Sequence, residues 1–302
     1  MKKILFCIKE YAYLAEKILA HGDYEKGELA ISYFTDGERY QRILSPVENR
    51  DVVVIGGTVN DEATLELFDL ASSLVSYGAN SLSLVIPYYG YSTMERAVLP
   101  GEIVTAKTRA RLLSAIPRSA KGNRIYLFDL HSEGTQYYFE HEVYPVHVYC
   151  KPIIIEAARQ YGGENFVMAS TDAGRAKWVE SLANDMGVPA AFILKRRLSG
   201  DHTEVTAINA DVDGKTVIIY DDMIRSGGSI IGAAQTYKDA GAKDIYVITT
   251  HGLFVNNGIE KLKASGLIKK LICTDSHVNA CNIQDDFVEV RSIAALVCEA
   301  IR

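Results

Sequence analysis

Along the chain, short runs of β-branched and apolar residues alternate with longer stretches whose apolar positions recur three and four residues apart. Gly or Asp marks most junctions between the two kinds of segment. Ile4-Leu5-Phe6-Cys7-Ile8 reads as a buried first strand. Val52-Val53-Val54-Ile55 leads through Gly56-Gly57-Thr58 into a helical stretch from Glu62 to Tyr77, and Leu82 to Ile86 follows as a strand. Further strands are predicted at Arg124 to Leu130, Phe166 to Ala169, Ala191 to Leu194, Thr216 to Tyr220, Ile245 to Thr250 and Leu271 to Thr274. Runs with no polar face belong in parallel sheets covered on both sides, so the class is α/β.

The pattern repeats within the chain. Ser76-Tyr77-Gly78-Ala79 before Leu82-Ser83-Leu84-Val85-Ile86 has the same form as Asp239-Ala240-Gly241-Ala242 before Ile245-Tyr246-Val247-Ile248. Each is a helix end, a Gly-Ala stop and a strand, and each follows an earlier strand, loop and helix. Two related tandem domains are therefore expected. Pro145 and Pro152 bracket the connection, which sets the first domain at 1–145 and the second at 146–290, with a last helix at 291–302 packing back on the first.

Composition excludes several classes. At 302 residues, 48% apolar and 23% charged, the chain carries too much apolar surface for disorder, and about 150 residues per domain agrees with two domains. A net charge of −6 gives no excess of Lys and Arg to neutralise a duplex, so no nucleic-acid partner is expected. No apolar run approaches the ~18 residues of a membrane span, and the N-terminal run is shorter than the ~7 residues of a secretory h-region. Five cysteines without CxxC spacing suit reduced thiols in the cytoplasm.

The most specific chemistry lies in Val217-Ile218-Ile219-Tyr220-Asp221-Asp222-Met223-Ile224-Arg225-Ser226-Gly227-Gly228-Ser229. An apolar strand runs into two carboxylates, then a small-residue loop, then a helix. Backbone N–H groups over Ser226 to Ser229, together with a helix N-terminus, make an anion site sized for one phosphate. The paired carboxylates suit ribose hydroxyls or a Mg²⁺-bound sugar.

This arrangement resembles the ribose-phosphate loop of the phosphoribosyltransferase fold, and the whole chain resembles the ribose-phosphate diphosphokinases. Phe34-Thr35-Asp36-Gly37-Glu38, Ile86-Pro87-Tyr88-Tyr89-Gly90-Tyr91 and Ile103-Val104-Thr105-Ala106-Lys107 are similar to family motifs. So are Phe128-Asp129-Leu130-His131, Ser170-Thr171-Asp172-Ala173-Gly174, Lys195-Arg196-Arg197, Asp221-Asp222-Met223 and Thr250-His251-Gly252, in the family's order. The resemblance implies two phosphoribosyltransferase-type domains, each a parallel sheet flanked by helices. It implies transfer of the β,γ-diphosphate of ATP to the C1 hydroxyl of ribose 5-phosphate, with release of AMP.

The resemblance also assigns residues. Lys195 becomes the principal transition-state cation and Arg197 a forked phosphate clamp, on a polar stretch from Arg196 to Glu204 that reads as a closing loop. Asp36, Gly37 and Glu38 are carried over as adenine contacts made across a subunit interface, with Arg96 and His131 as further ATP contacts. Asp221, Asp222, Arg225, Ser226, Gly227, Gly228 and Ser229 hold ribose phosphate. His131 and Asp172 contact the implied cofactor, Mg²⁺. The implied assembly is a homo-oligomer, commonly a hexamer in the family.

Two segments depart from the family. Where it has Ala-Arg-Gln-Asp and two basic residues, this chain reads Ser92-Thr93-Met94-Glu95-Arg96-Ala97. The phosphate loop carries Arg225 where bacterial members carry an acid, a cation that could serve a second phosphate and so admit ADP-ribose as acceptor. A non-catalytic regulatory homologue is the reading from another class, against which stand His131, Asp172, Lys195, Arg197, Asp221 and Asp222.

Overall fold

The structure, a computed structural model, describes residues 1–199 and 202–302, with the side chains of 194–207 outside that description. The chain divides into two compact units, Met1–Val148 with Ala294–Arg302, and Tyr149–Ile293. The divisions fall a few residues beyond those expected from the prolines. Val143–Val148 is a strand, and Pro145 sits within it opposite Ile125. Proline is tolerated there because the strand lies at the sheet edge, where one row of N–H groups needs no partner.

In unit one the strands are β1 (Lys3–Cys7), β2 (Tyr24–Lys26), β3 (Leu29–Tyr33), β4 (Arg39–Ile43), β5 (Asp51–Ile55), β6 (Ser81–Ile86), β7 (Asn123–Phe128) and β8 (Val143–Val148). The helices are α1 (Ala12–His21), α2 (Asp61–Ser76) and α3 (Thr105–Ser114). Strand order in the main sheet is β2-β1-β5-β6-β7-β8, every neighbouring pair parallel. Val52, Val53, Val54 and Ile55 are all buried, as a strand covered on both faces requires. Asn60 caps α2 by accepting the Ala63 N–H at 2.8 Å, and Asp61 and Glu62 complement the positive end of that helix. Leu67, Leu70, Ala71 and Leu74 form its buried stripe.

Unit two contains α4 (Lys151–Gly162), β9 (Phe166–Ser170), α5 (Ala176–Met186), β10 (Ala190–Ala191), β11 (Ile193–Ser199) and β12 (His202–Ile208). It continues with β13 (Thr216–Ile224), α6 (Gly228–Asp239), β14 (Asp244–Gly252), α7 (Gly258–Ala264), β15 (Lys270–Thr274) and β16 (Val288–Arg291). Its parallel sheet runs β10-β9-β13-β14-β15-β16, the order of unit one position for position. An antiparallel pair is inserted at the same place in each unit, β3–β4 in the first and β11–β12 in the second. The last helix, α8 (Ala294–Ala300), belongs to unit one, where the Cys298 thiol donates to the Ile18 carbonyl at 3.7 Å and Lys3 donates to the Ile301 carbonyl.

The inserted pairs correct the sequence expectation. The loop predicted over Arg196 to Glu204 has its backbone paired strand to strand on either side of residues 200–201, for example Arg197 opposite Thr203. Thr203, Val205 and Thr206 are β-branched and favour extended backbone, while a pair outside the main sheet needs no apolar run to reveal it. In unit one, Arg39 holds the insert to α2 through Glu66 at 3.5 Å and Asp69 at 3.1 Å, and Gln41 donates to Glu66 at 3.3 Å. Burial raises the Glu66 carboxyl above its ordinary value, and the Arg39 charge opposes that shift.

Strand order reverses between β1 and β5, and again between β9 and β13. An open parallel sheet places ligands at such points, beyond the carboxyl ends of its strands. Unit one is crowded beside that point, past the ends of β5 and β6. The Gly90 N–H donates to Thr58 Oγ1 at 2.7 Å, and a Cβ on Gly90 would stand 1.9 Å from the Thr58 carbonyl oxygen. Among the described residues no helix is long and apolar enough to cross a membrane.

Gly90→Ala should therefore destabilise the protein by about 2 kcal/mol or more, because backbone must move to admit the methyl. A denaturant midpoint lowered without a change in slope is the expected outcome; an unchanged midpoint would contradict the packing described.

Candidate active site

At the reversal point of unit two, β9 ends on Ser170 and the chain turns through Thr171, Asp172 and Arg175 into α5. The Asp172 carboxylate accepts the Gly174 N–H at 2.8 Å, and the Ser170 hydroxyl donates to the Asp172 carbonyl at 2.6 Å. Asp172 thus holds its own turn while remaining exposed. Beside it, β13 carries Asp221 and Asp222 inside the strand, paired to β14 with Asp221 opposite Thr249 and Met223 opposite His251. The sheet therefore extends past the apolar run that ends at Tyr220.

Asp222 is buried, and its Oδ1 lies 2.6 Å from an Arg175 guanidinium nitrogen. Arg175 Nε is 3.9 Å from Asp221, whose other oxygen accepts the Thr171 hydroxyl at 3.2 Å. Asp221 Oδ1 also accepts the Asp222 N–H at 3.0 Å. Burial first, and the Asp222 charge second, push the Asp221 carboxyl up to about 8, with Arg175 and Thr171 pulling the other way. Arg175 thus faces both carboxylates, with Asp222 buried and Asp221 half-buried.

The loop after β13 is where the sequence predicts the anion site. Gly227 caps α6 in the left-handed region at φ 82°, and a Cβ there would meet Leu262 at 2.9 Å, so the turn needs glycine. Arg225, Ser226, Gly228 and Ser229 are exposed at the α6 N-terminus, where free N–H groups and the helix dipole favour an anion.

A buried polar network supports the neighbouring strand ends. The hydroxyls of Tyr220 and Thr250 are 3.1 Å apart, and both Thr274 and Ser276 donate to the Thr250 carbonyl, at 2.7 and 3.0 Å. His251 Nδ1 meets Ser276 Oγ at 2.8 Å. Burial, with the His251 charge second, lowers His277 to about 4, which keeps that ring neutral at physiological pH.

The remaining predicted residues lie on separate segments. Asp36, Gly37 and Glu38 form the exposed tip between β3 and β4, where Asp36 Oδ1 accepts the Glu38 N–H at 3.1 Å and Gly37 stands at φ 92°. Arg96 lies in the connection from β6 to α3, 76% exposed, with its Nε 3.4 Å from Glu95. His131 follows β7 after Asp129, which adopts φ 35°. Lys195 and Arg197 are on β11, and their side chains lie outside the described residues.

Two residues of the unit-two cluster escaped sequence reasoning, Arg175 and Thr171. Arg175 opens a helix, where an arginine is ordinarily a solvated charge, and its partners are distant in sequence. The available signal was electrostatic: two adjacent acids entering a buried strand call for a cation from another segment.

The comparisons with known proteins agree along the whole chain. The family model for the N-terminal domain of ribose phosphate pyrophosphokinase matches residues 3–116, and that for the phosphoribosyl synthetase-associated domain matches residues 169–302. A ribose-phosphate pyrophosphokinase of Fusobacterium nucleatum is 32% identical over 95% of this chain and 90% of its own length. One from Prochlorococcus marinus is 33% identical over 95% of this chain and 86% of its own. The crystal structure of phosphoribosylpyrophosphate synthetase from Mycobacterium smegmatis superposes with a TM-score of 0.87 at 26% identity, covering 100% of this chain and 98% of that one. Two units with one topology, a carboxylate pair at the reversal point of the second and full-length likeness to these enzymes place the chain in the ribose-phosphate pyrophosphokinase family.

Proposed function

We propose that the protein transfers the β,γ-diphosphate of ATP to the C1 hydroxyl of ribose 5-phosphate. The C1 oxygen bonds to the β-phosphorus, the bond from that phosphorus to the α-bridging oxygen breaks, the hydroxyl proton is lost, and AMP leaves. The observation that carries this reading is the Asp221–Asp222 pair joined to the Ser226–Ser229 loop at the α6 N-terminus. The loop suits the 5-phosphate through backbone N–H groups, and the adjacent carboxylates suit the ribose hydroxyls. Once ligands ionise it, Asp221 is the group we assign to take the C1 proton. Lys195 and Arg197 are the cations we assign to the diphosphate in flight. Asp36, Gly37, Glu38, Arg96 and His131 are assigned to ATP.

The donor set fits Mg²⁺. Asp172 offers a hard carboxylate oxygen at an exposed turn, and Asp221 and Asp222 offer others on the neighbouring strand. Among the described residues no group of three or more His, Cys, Asp or Glu stands close enough to hold a metal ion. When bound, Mg²⁺ supplies neutralisation of the phosphate charge. Asp172, exposed and fixed by its turn, is the protein contact we assign to it, and His131 is the counterpart assigned in unit one. A homo-oligomer is proposed from the β3–β4 pair, where Ile31, Tyr33, Phe34 and Tyr40 expose apolar surface beside the Asp36 tip.

AMP formation from ATP and Mg²⁺ with each acceptor in turn tests the reaction. AMP should appear with ribose 5-phosphate, stay at background with ADP-ribose, and fall about 10²–10³-fold in Lys195→Ala, as for loss of one transition-state donor. Release with ADP-ribose alone would move the acceptor, and an undiminished Lys195→Ala would remove that residue from the chemistry.

The carboxylate pair also predicts stability against pH in the absence of ligands. A folded-state pKa raised above the unfolded value gives stability that is full below the ordinary carboxylate range and is lost as pH rises through the folded pKa. Melting temperature should therefore decline between about pH 4 and pH 8 more steeply in the wild type than in Asp221→Asn, with chelator present. Parallel curves would contradict the pair's electrostatics.

A further inference from the structure

The segment assigned to ATP in unit one begins at Tyr91, whose backbone stands at φ 59°. The left-handed region is unfavourable for a bulky residue and persists where the surroundings over-determine it. Here they do. The Tyr91 hydroxyl donates to Asp61 Oδ1 at 3.0 Å, and Arg109 donates to the same oxygen at 2.6 Å. The Arg109 guanidinium carbon also lies 5.3 Å from the centre of the Tyr91 ring. Arg109 Nε is buried with no hydrogen-bond partner, so ring and carboxylate, rather than a full set of acceptors, decide where this guanidinium sits.

Asp61 opens α2 and Arg109 lies in α3, so the cluster ties two helices to the exit of β6. From Tyr91 onward the chain is held step by step. The Met94 N–H donates to the Tyr91 carbonyl at 2.8 Å, and the Ala106 N–H donates to the Met94 carbonyl at 3.3 Å. The Tyr138 hydroxyl donates to the Glu95 carbonyl at 2.6 Å. Arg96 comes next. Thr93 and Met94 bring no charge, so the cation of this segment is presented in a direction inherited from Tyr91.

We infer that Arg109 and Asp61 are positioning residues for nucleotide binding. They hold Tyr91 in its left-handed turn and so set the course of residues 92–96, without touching the nucleotide themselves. The inference rests on the assignment of Arg96 to ATP, and one arm of its test is independent of that assignment.

In Arg109→Leu, KM for ATP should rise about tenfold, with kcat and KM for ribose 5-phosphate within about twofold of wild type, the pattern of lost binding that is uniform along the reaction. Arg109→Lys should recover part of the loss, since an ammonium keeps the charge on Asp61 but not the planar face over Tyr91. Asp61→Asn, a milder change at a side chain 63% exposed, should shift KM for ATP the same way if Arg109→Leu folds poorly. The independent arm is trypsin cleavage after Arg96, which should be about fivefold faster in Arg109→Leu at unchanged melting temperature, because a freed segment opens more often. Unchanged KM for ATP together with unchanged cleavage would overturn the inference, as would an equal loss with both substrates. If the wild type forms no AMP, the function fails, and the cleavage rate still decides the clamp.

Discussion

At the carboxyl end of the second sheet one guanidinium faces two carboxylates: Arg175 lies 2.6 Å from Asp222 and 3.9 Å from Asp221, and the end of β9 is held to the end of β13 through that contact. Asp222 is buried against Arg175, while Asp221 is left to burial and to its neighbour's field, which raise its pKa. A buried acid of this kind lowers the stability of the empty protein at neutral pH and is retained where function needs it. Under the function proposed above, ribose hydroxyls and a hard cation are the groups that would meet this pair. The Thr171 hydroxyl and the Asp222 N–H, which already accompany Asp221, stabilise its charged form once such ligands arrive.

The fold delivers these groups by topology. The order β10-β9-β13-β14-β15-β16 brings the end of β9, with Asp172 and Arg175, beside the end of β13, with Asp221 and Asp222, at the point where strand order reverses. Unit one has the same order, and past the ends of β1 and β5 the Tyr11 hydroxyl stands where a Cβ on Gly57 would be. The two copies of one topology thus carry different residues at this point, paired carboxylates in unit two and glycine packed against tyrosine in unit one. The inserted antiparallel pairs carry Asp36 and Glu38 in the first unit and Lys195 and Arg197 in the second, so the same topological position bears candidate chemistry twice.

Legibility in the sequence followed burial. The Val52–Ile55, Leu82–Ile86 and Thr216–Tyr220 runs stood out because strands covered on both faces must be continuously apolar, and each is a strand. The Asp-Asp loop stood out because carboxylates and small residues directly follow such a run. The pairs β3–β4 and β11–β12 were hidden because strands outside a main sheet need no apolar pattern. β8 was hidden by Pro145, which reads as a linker and is accommodated at an edge. Arg175, Asp61 and Arg109 were hidden for another reason: each acts through a partner distant along the chain, and only the fold makes that pairing visible.

The most direct test of the central claim is the proton balance on binding. Calorimetric titration of the protein with Mg²⁺ and ribose 5-phosphate at pH 7, repeated in buffers of different ionisation enthalpy, counts protons exchanged. Net proton release that is larger for the wild type than for Asp221→Asn is the result expected if ligands convert Asp221 to its ionised form. Equal proton release by the two proteins would show that Asp221 is already ionised before ligands bind, contrary to its raised pKa.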